Sequence, residues 1–236
     1  MAQDGLRLDS VAWRQGDFRL SADLTLPAGA IVALIGASGS GKSTLLSGVA
    51  GFLPPETGHV EIAGQDCTDL PPGARPLSIL FQDQNLFPHL TVAQNVGLGL
   101  RPDLRLSAEQ ATARDAVLAE VGLAGFGTRL PRDLSGGQQS RAALARALLR
   151  ERPWLLLDEP FSALGPGLRV EMLDLVARTA RAQGLSVLMV THDPEDARRI
   201  ADLTALVADG ACGAAVPTET LFADPPPALR AYLGNA

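Results

Sequence analysis

The stretch from Gly36 to Thr44 constrains this chain more than any other. It reads Gly36-Ala37-Ser38-Gly39-Ser40-Gly41-Lys42-Ser43-Thr44, after the apolar run Ile31 to Ile35 and before a helical pattern from Thr44 to Val49. The string G-x-x-x-x-G-K-[ST] between a strand and a helix is a phosphate-binding loop. Glycines let the backbone wrap closely, so successive N–H groups can point at phosphate oxygens. The helix amino terminus adds favourable partial charge. Composition sharpens one position. The chain has 20 basic residues, and Lys42 is the single lysine among arginines. Here a slim, mobile point charge must reach the β- and γ-phosphates, a task that the bulkier planar guanidinium does not suit. The Ser43 hydroxyl is placed to ligate Mg²⁺.

The rest of the chain is patterned as such a loop requires. Ile31 to Ile35, Ile79 to Phe81, Trp154 to Leu157 and Ser186 to Val190 are short, continuous apolar runs. Alternating with helical segments, they predict a parallel sheet covered on both faces. Leu6 to Trp13, Phe18 to Leu26 and Val60 to Ala63 alternate apolar and polar, as antiparallel strands do. Leu203 to Ala208 and Ala211 to Val216 flank Asp209-Gly210, a hairpin signal. From about Gln84 to Arg152 the texture is helical, with Ser107 and Gly122 as start and stop signals of one helix. This stretch reads as a helical lobe inserted into the sheet domain. Ala223-Asp224-Pro225-Pro226-Pro227 breaks structure before a last short helix, with no room for a further regulatory domain.

Length and composition exclude several classes. The 236 residues suit one domain, and 46% hydrophobic against 19% charged residues permits a sizeable core. No apolar run is long enough to span a membrane. The amino terminus lacks a signal-peptide pattern, so the cytosol is the expected compartment. Cys67 and Cys212 form no metal or disulfide framework. A net charge of −6 without a basic block argues against nucleic acid as a partner.

A second carboxylate-bearing segment complements the loop. Trp154-Leu155-Leu156-Leu157 runs into Asp158-Glu159-Pro160. In isolation this reads as a strand followed by a solvated acidic turn. Beside a phosphate loop it is the Walker B pattern, with Asp158 in the Mg²⁺ shell and Glu159 orienting or deprotonating the attacking water. Leu134-Ser135-Gly136-Gly137-Gln138 opens the helix Gln139 to Leu149, with Ser135 able to cap it. By itself it is either a capped helix start or an anion site.

The pentapeptide Leu134 to Gln138, between the phosphate loop and Asp158-Glu159, resembles the signature motif of ATP-binding cassette (ABC) ATPases. The resemblance runs from Leu6 to about Leu221. It implies an α/β fold of P-loop NTPase (RecA-like) type: a parallel sheet core with an antiparallel β subdomain and an inserted helical subdomain at residues 84–152, all one ABC ATPase domain over 1–236. It also implies ATP and Mg²⁺ as ligands. Gln82 matches the glutamine near Mg²⁺ and the water, and His192 the switch histidine on the γ-phosphate. Trp13, lying 23 residues before Gly36, matches the aromatic that stacks on adenine. A core tryptophan is the alternative. Phe161-Ser162-Ala163-Leu164 begins the D-loop. Two cassettes would sandwich two ATP molecules, each held by Gly36 to Thr44 of one chain and Ser135 to Gln138 of the other.

Two departures stand out. Most family members carry Asp after Ser-Ala-Leu, where this chain has Gly165. Gln139-Ser140-Arg141 replaces the usual Arg-Gln-Arg. The run Leu80 to Leu100, Pro71-Pro72 with Arg75-Pro76, and Leu206 to Gly210 resemble the bacterial ATPases that energise thiamine import. That implies a homodimer on the cytoplasmic face of the inner membrane, with separate permease subunits and, indirectly, a periplasmic solute-binding protein. Leu86-Phe87-Pro88 would meet the permease or belong to the lobe core. Import of another small solute, such as a polyamine, ferric iron or an oxyanion, is the alternative. A soluble ATP-gated interaction module is a more distant one.

Overall fold

A computed structural model describes residues 5–83 and 85–234. The strands are β1 (Leu6–Gln15), β2 (Phe18–Leu26), β3 (Ile31–Ile35), β4 (Thr57–Ile62), β5 (Gln65–Asp66), β6 (Leu77–Leu80), β7 (Trp154–Asp158), β8 (Ser186–Val190), β9 (Leu203–Ala208), β10 (Ala211–Cys212) and β11 (Val216–Pro217). The helices are α1 (Lys42–Ala50), α2 (Val92–Gly97), α3 (Ala108–Glu120), α4 (Gly136–Leu148), α5 (Pro166–Gln183), α6 (Pro194–Ile200), α7 (Thr218–Ala223) and α8 (Pro227–Leu233).

The strands form one mixed sheet in the order β5-β4-β1-β2-β10-β9-β3-β8-β7-β6, with β11 also on β9. From β9 to β6 every pairing is parallel. From β5 to β2 every pairing is antiparallel. The expected division into a parallel core and an antiparallel flank is therefore present. The run Ala211 to Val216 is not the single strand expected. It breaks into β10, which joins β2 to β9, and β11, which returns to β9. Gly213 interrupts the two, its N–H bonded to the Leu206 carbonyl.

Strand periodicity explains why the parallel core is apolar on both faces. Ile31, Ala33 and Ile35 enter one hydrophobic cluster, together with Leu155, Leu157, Val187 and Met189 and apolar residues of α4 and α5. Val32 and Leu34 enter the other, with Leu156, Leu188 and residues of α1, β1 and β2. The segment between β6 and β7 carries α2, α3 and α4, as the helical texture indicated. Gln84, its expected start, lies outside the described residues. Ser107 caps α3 with a reciprocal bond to Gln110, and Gly122 follows in the left-handed region. Thr91 and Gln94 do the same at α2.

Helix α1 is held at two places. A Cβ on Gly48 would stand 2.2 Å from the Trp13 ring, so only glycine admits this approach to β1. At its carboxyl end the buried Arg75 donates from Nη1 to the carbonyls of Gly48 (3.0 Å) and Val49 (2.8 Å).

Candidate functional site

The parallel strands end along one edge of the sheet, where α/β folds place their ligands. Gly36 follows β3, Glu159 follows β7 and His192 lies just beyond β8. The pairings Leu34 with Val190 and Asp158 with Val190 bring these three ends side by side. A cleft of about 710 Å³ opens there, lined by Gln15, Phe18, Ser38, Gly39, Gly41, Lys42, Ser43, Thr44, Glu159, His192 and Tyr232.

The loop has the conformation its glycines allow. Gly36, Gly39 and Gly41 take φ of 152°, 77° and 108°, values that L side chains avoid. A Cβ on Gly36 would meet the Val207 carbonyl oxygen at 2.2 Å. Ser40 N–H closes a turn onto the Ala37 carbonyl. The Lys42 ammonium folds back and donates to the carbonyls of Gly36 (2.8 Å) and Ala37 (2.9 Å). Burial lowers the Lys42 pKa, and the charges of Glu159 and Asp158 oppose that shift.

Across the cleft, Ser43 Oγ donates to Asp158 Oδ1 at 3.2 Å. Burial, the largest influence on Asp158, raises its carboxyl pKa; the Ser43 bond pulls the other way. A hydroxyl and a carboxylate beside a phosphate loop form a hard-oxygen set. It suits Mg²⁺, which typically takes one or two protein oxygens and completes its shell with phosphate and water. No group of three or more His, Cys, Asp or Glu among the described residues forms a separate metal site.

Glu159 sits at φ 44°, in the left-handed region, and its N–H bonds the Val190 carbonyl at 3.1 Å. Such a conformation in a residue other than glycine is costly and tends to concentrate at functional positions. It sends the carboxylate toward His192, whose Nδ1 lies 2.8 Å from Glu159 Oε2. The His192 loop is fastened from beneath. Thr191 Oγ1 donates to Asp196 Oδ2 at 2.7 Å, and Arg169 bridges Asp193 and Asp196.

Trp13 is a correction. It is fully buried, 0% exposed, against α1, and cannot stack on a ligand. In the β1–β2 register Trp13 pairs with Leu20, and Gln15 with Phe18. The tryptophan is two pairs too deep, and Phe18 at the strand end is the aromatic that lines the cleft. A Cβ on Gly41 would stand 2.8 Å from Phe18 Cζ, which places that ring against the phosphate loop. The signal was available: the tight Gly16-Asp17 turn puts Phe18, not Trp13, at the sheet's end.

Gln82 is an exposed turn residue beyond β6 and does not line this cleft. Ser135 to Gln138 do not line it either. They begin α4 three residues earlier than Gln139, where the helix was expected to start. Ser135 caps it through a reciprocal bond with Gln138. Gly137 packs so tightly on Leu168 of α5 that a Cβ would come within 2.4 Å. Gly165 caps α5 at φ −64°, outside the left-handed region, without a side-chain cap and with open space around a Cβ position.

A second concavity, of about 390 Å³, lies between β6 and α4, with Phe52, Phe81, Phe87, Arg146 and Arg150 on its walls. Phe52 and Phe87 are 54% and 46% exposed, so Phe87 is not lobe core. The turn presenting Phe87 is fixed by Asn95, which accepts from Phe87 N–H and donates to the carbonyls of Phe87, Leu90 and Thr91.

Comparison with known proteins gives a consistent picture. A family profile described as "ABC transporter" matches residues 20–162. A protein of Cereibacter sphaeroides named "Thiamine import ATP-binding protein ThiQ" is 62% identical over 229 residues, covering 97% of this chain and 99% of its own. One of the same name from a Ruegeria species is 53% identical over the same shares of the two chains. Two solved structures share the fold. A nucleotide-free ATP-binding cassette from an ABC transporter superposes with a TM-score of 0.85 at 23% identity, covering 98% of this chain and 100% of its own. An ADP-bound cassette gives 0.87 at 24%, covering 98% and 99%.

Proposed function

This chain belongs to the ABC transporter family, and from that premise we propose that it is the ATP-hydrolysing subunit of a thiamine importer. The observation that carries the ATPase reading is the convergence of Lys42, Ser43, Asp158, Glu159 and His192 on one cleft at the carboxyl ends of adjacent parallel strands. The substrate rests on likeness to the two thiamine-import relatives along nearly the whole chain.

The chemistry follows from the residues. Backbone N–H groups from Gly36 to Thr44 cradle the phosphates, aided by the amino terminus of α1. Lys42 leaves the carbonyls of Gly36 and Ala37 and turns its ammonium to the β- and γ-phosphates. Phe18 and Gln15 border the nucleoside end. Ser43 and Asp158 would hold Mg²⁺, and Gln82, beyond β6, would have to swing in to reach it. When bound, that ion would supply positive charge to offset the charge developing on the phosphates. Glu159 takes a proton from the attacking water as its oxygen bonds to the γ-phosphorus and the bond to the ADP oxygen breaks. His192 donates to the γ-phosphate and keeps Glu159 aimed.

A second copy completes the site. Ser135 to Gln138 already form a capped helix start, outside the lining of their own chain's cleft. In a two-fold dimer they close over the partner's γ-phosphate. The chain has no helix long and apolar enough to cross a membrane among its described residues. As the ATPase of such an importer it works at the cytoplasmic face of the membrane, on permease subunits that receive solute from a periplasmic binding protein. The concavity at Phe52, Phe81 and Phe87 is the permease contact, since exposed aromatics on a rigid turn provide apolar anchors.

The test is reconstitution. Expressed with its permease and binding protein, the wild type should drive ATP-dependent uptake of labelled thiamine, and Lys42→Ala should abolish it. A complex that hydrolyses ATP but concentrates a different solute removes the thiamine assignment.

A further inference from the structure

The chain's single tyrosine, Tyr232, stands on the last helix, far in sequence from every motif discussed above. Helix α8 nevertheless brings it to the nucleotide cleft, where it shares the wall with Glu159, His192 and the phosphate loop. Its hydroxyl donates to the backbone carbonyl of His192. Resting on the ATPase reading, we propose that Tyr232 is a positioning residue: it fixes the His192 loop from the solvent side, so that the imidazole stays in reach of Glu159.

Several observations support this assignment. The helix is anchored, not laid loosely on the surface. Leu229 is fully buried in the larger core cluster, and Tyr232 packs partly against the same cluster. Arg230 ties the helix to its own approach, donating to the Pro225 carbonyl at 2.7 Å and to Asp224 at 2.9 Å. The His192 loop needs such a tie. Its lower side is fastened through Thr191, Asp193, Asp196 and Arg169. The imidazole itself is about half exposed and touches only Glu159 through Nδ1 among the hydrogen bonds described. The His192 carbonyl is held by Tyr232 alone among those bonds. Burial raises the Tyr232 pKa, with Asp193 and Glu159 adding to it, so the phenol stays protonated and able to donate.

Removing only the hydroxyl is the test. In Tyr232→Phe, kcat for ATP should fall about three- to tenfold, the size of one lost hydrogen bond, with KM for ATP unchanged. A second readout needs no turnover. The protein has three histidines, so the imidazole resonances of His192 can be identified by their loss in His192→Ala. In nucleotide-free Tyr232→Phe they should shift, while those of His59 and His89 stay in place. A raised KM at constant kcat would mean that Tyr232 contacts nucleotide instead, and it overturns the proposal. So do unmoved His192 resonances, whatever the kinetics. Absence of hydrolysis by wild type with its permease would sink the ATPase reading, and the resonance comparison would still decide whether Tyr232 places His192.

Discussion

His192 Nδ1 and Glu159 Oε2 are 2.8 Å apart, although 33 residues separate them in the chain. They meet because β7 and β8 run parallel and in register, Asp158 opposite Val190. A carboxylate already oriented by an imidazole is poised to accept a proton. Glu159→Gln keeps shape and loses that capacity. Hydrolysis should fall roughly 10² to 10⁴-fold, while ATP still binds. On a sizing column with saturating Mg²⁺ and ATP the variant should run as a dimer. If it stays monomeric even with the permease present, the two-site mechanism fails.

Lys42 is 5% exposed and fitted between two carbonyls. Lys42→Ala removes the cation, and Lys42→Arg forces a larger planar group into the same space. Both should lose nucleotide binding, read by fluorescence of a labelled ATP analogue, with the circular dichroism spectrum unchanged. Normal turnover in either would refute the loop's role.

Gly165 allows a gain to be predicted. Its φ of −64° suits any residue, and it caps α5 with no side-chain bond. Asp is a preferred cap, better than Gly by a few tenths of a kcal/mol. In a chain of this size that corresponds to about one degree in Tm. Gly165→Asp should therefore melt slightly higher and, by restoring the carboxylate that most family members carry there, show greater ATPase activity at low protein concentration. A lower melting point and an unmoved concentration curve would contradict both parts.

Asp158 carries a cost that ligand offsets. Its folded-state pKa is raised, mainly by burial. An acid with a raised folded pKa favours folding when protonated. That contribution is complete below the unfolded value, 3.8, and is lost as pH rises through the folded one. At neutral pH the ionised carboxylate is thus a burden on the ligand-free protein. Asp158→Asn should melt higher than wild type near pH 7, the gap narrowing toward acid, and should lose the extra stabilisation given by Mg²⁺ with ATP. Calorimetry across pH measures both.

Phe18 and Trp13 should separate cleanly. Phe18→Ala should raise KM for ATP with little change in kcat. Trp13→Ala should cost about 3–5 kcal/mol of stability, because it empties a core position. Equal effects on KM would return Trp13 to the nucleotide site.

Much of this was legible in the chain because local signals and tertiary demands agreed. Ile31 to Ile35 is apolar at every position since its alternate residues enter different cores, and the loop glycines sit where φ requires them. Ser107 and Ser135 announced their helices through capping. What sequence left hidden was depth. Spacing alone put Trp13 near the loop, while the pairing register put it two pairs inside, and the break at Gly213 depends on how β9 is shared among three strands. Tyr232 gave no signal, because nothing local tells where a terminal helix will fold back.

The two grips on α1, Trp13 lying on Gly48 and Arg75 drawing in the terminal carbonyls, give Gly48 a reach beyond its own packing. The helix that starts with Lys42 and Ser43 behaves as a shaft with a seated heel. Its tip is aimed before any nucleotide arrives, so little of the binding energy need go into ordering it. A methyl group added at Gly48 would unseat the heel and tilt the tip. Nucleotide affinity would then suffer from a change made on the far side of the helix from the phosphates.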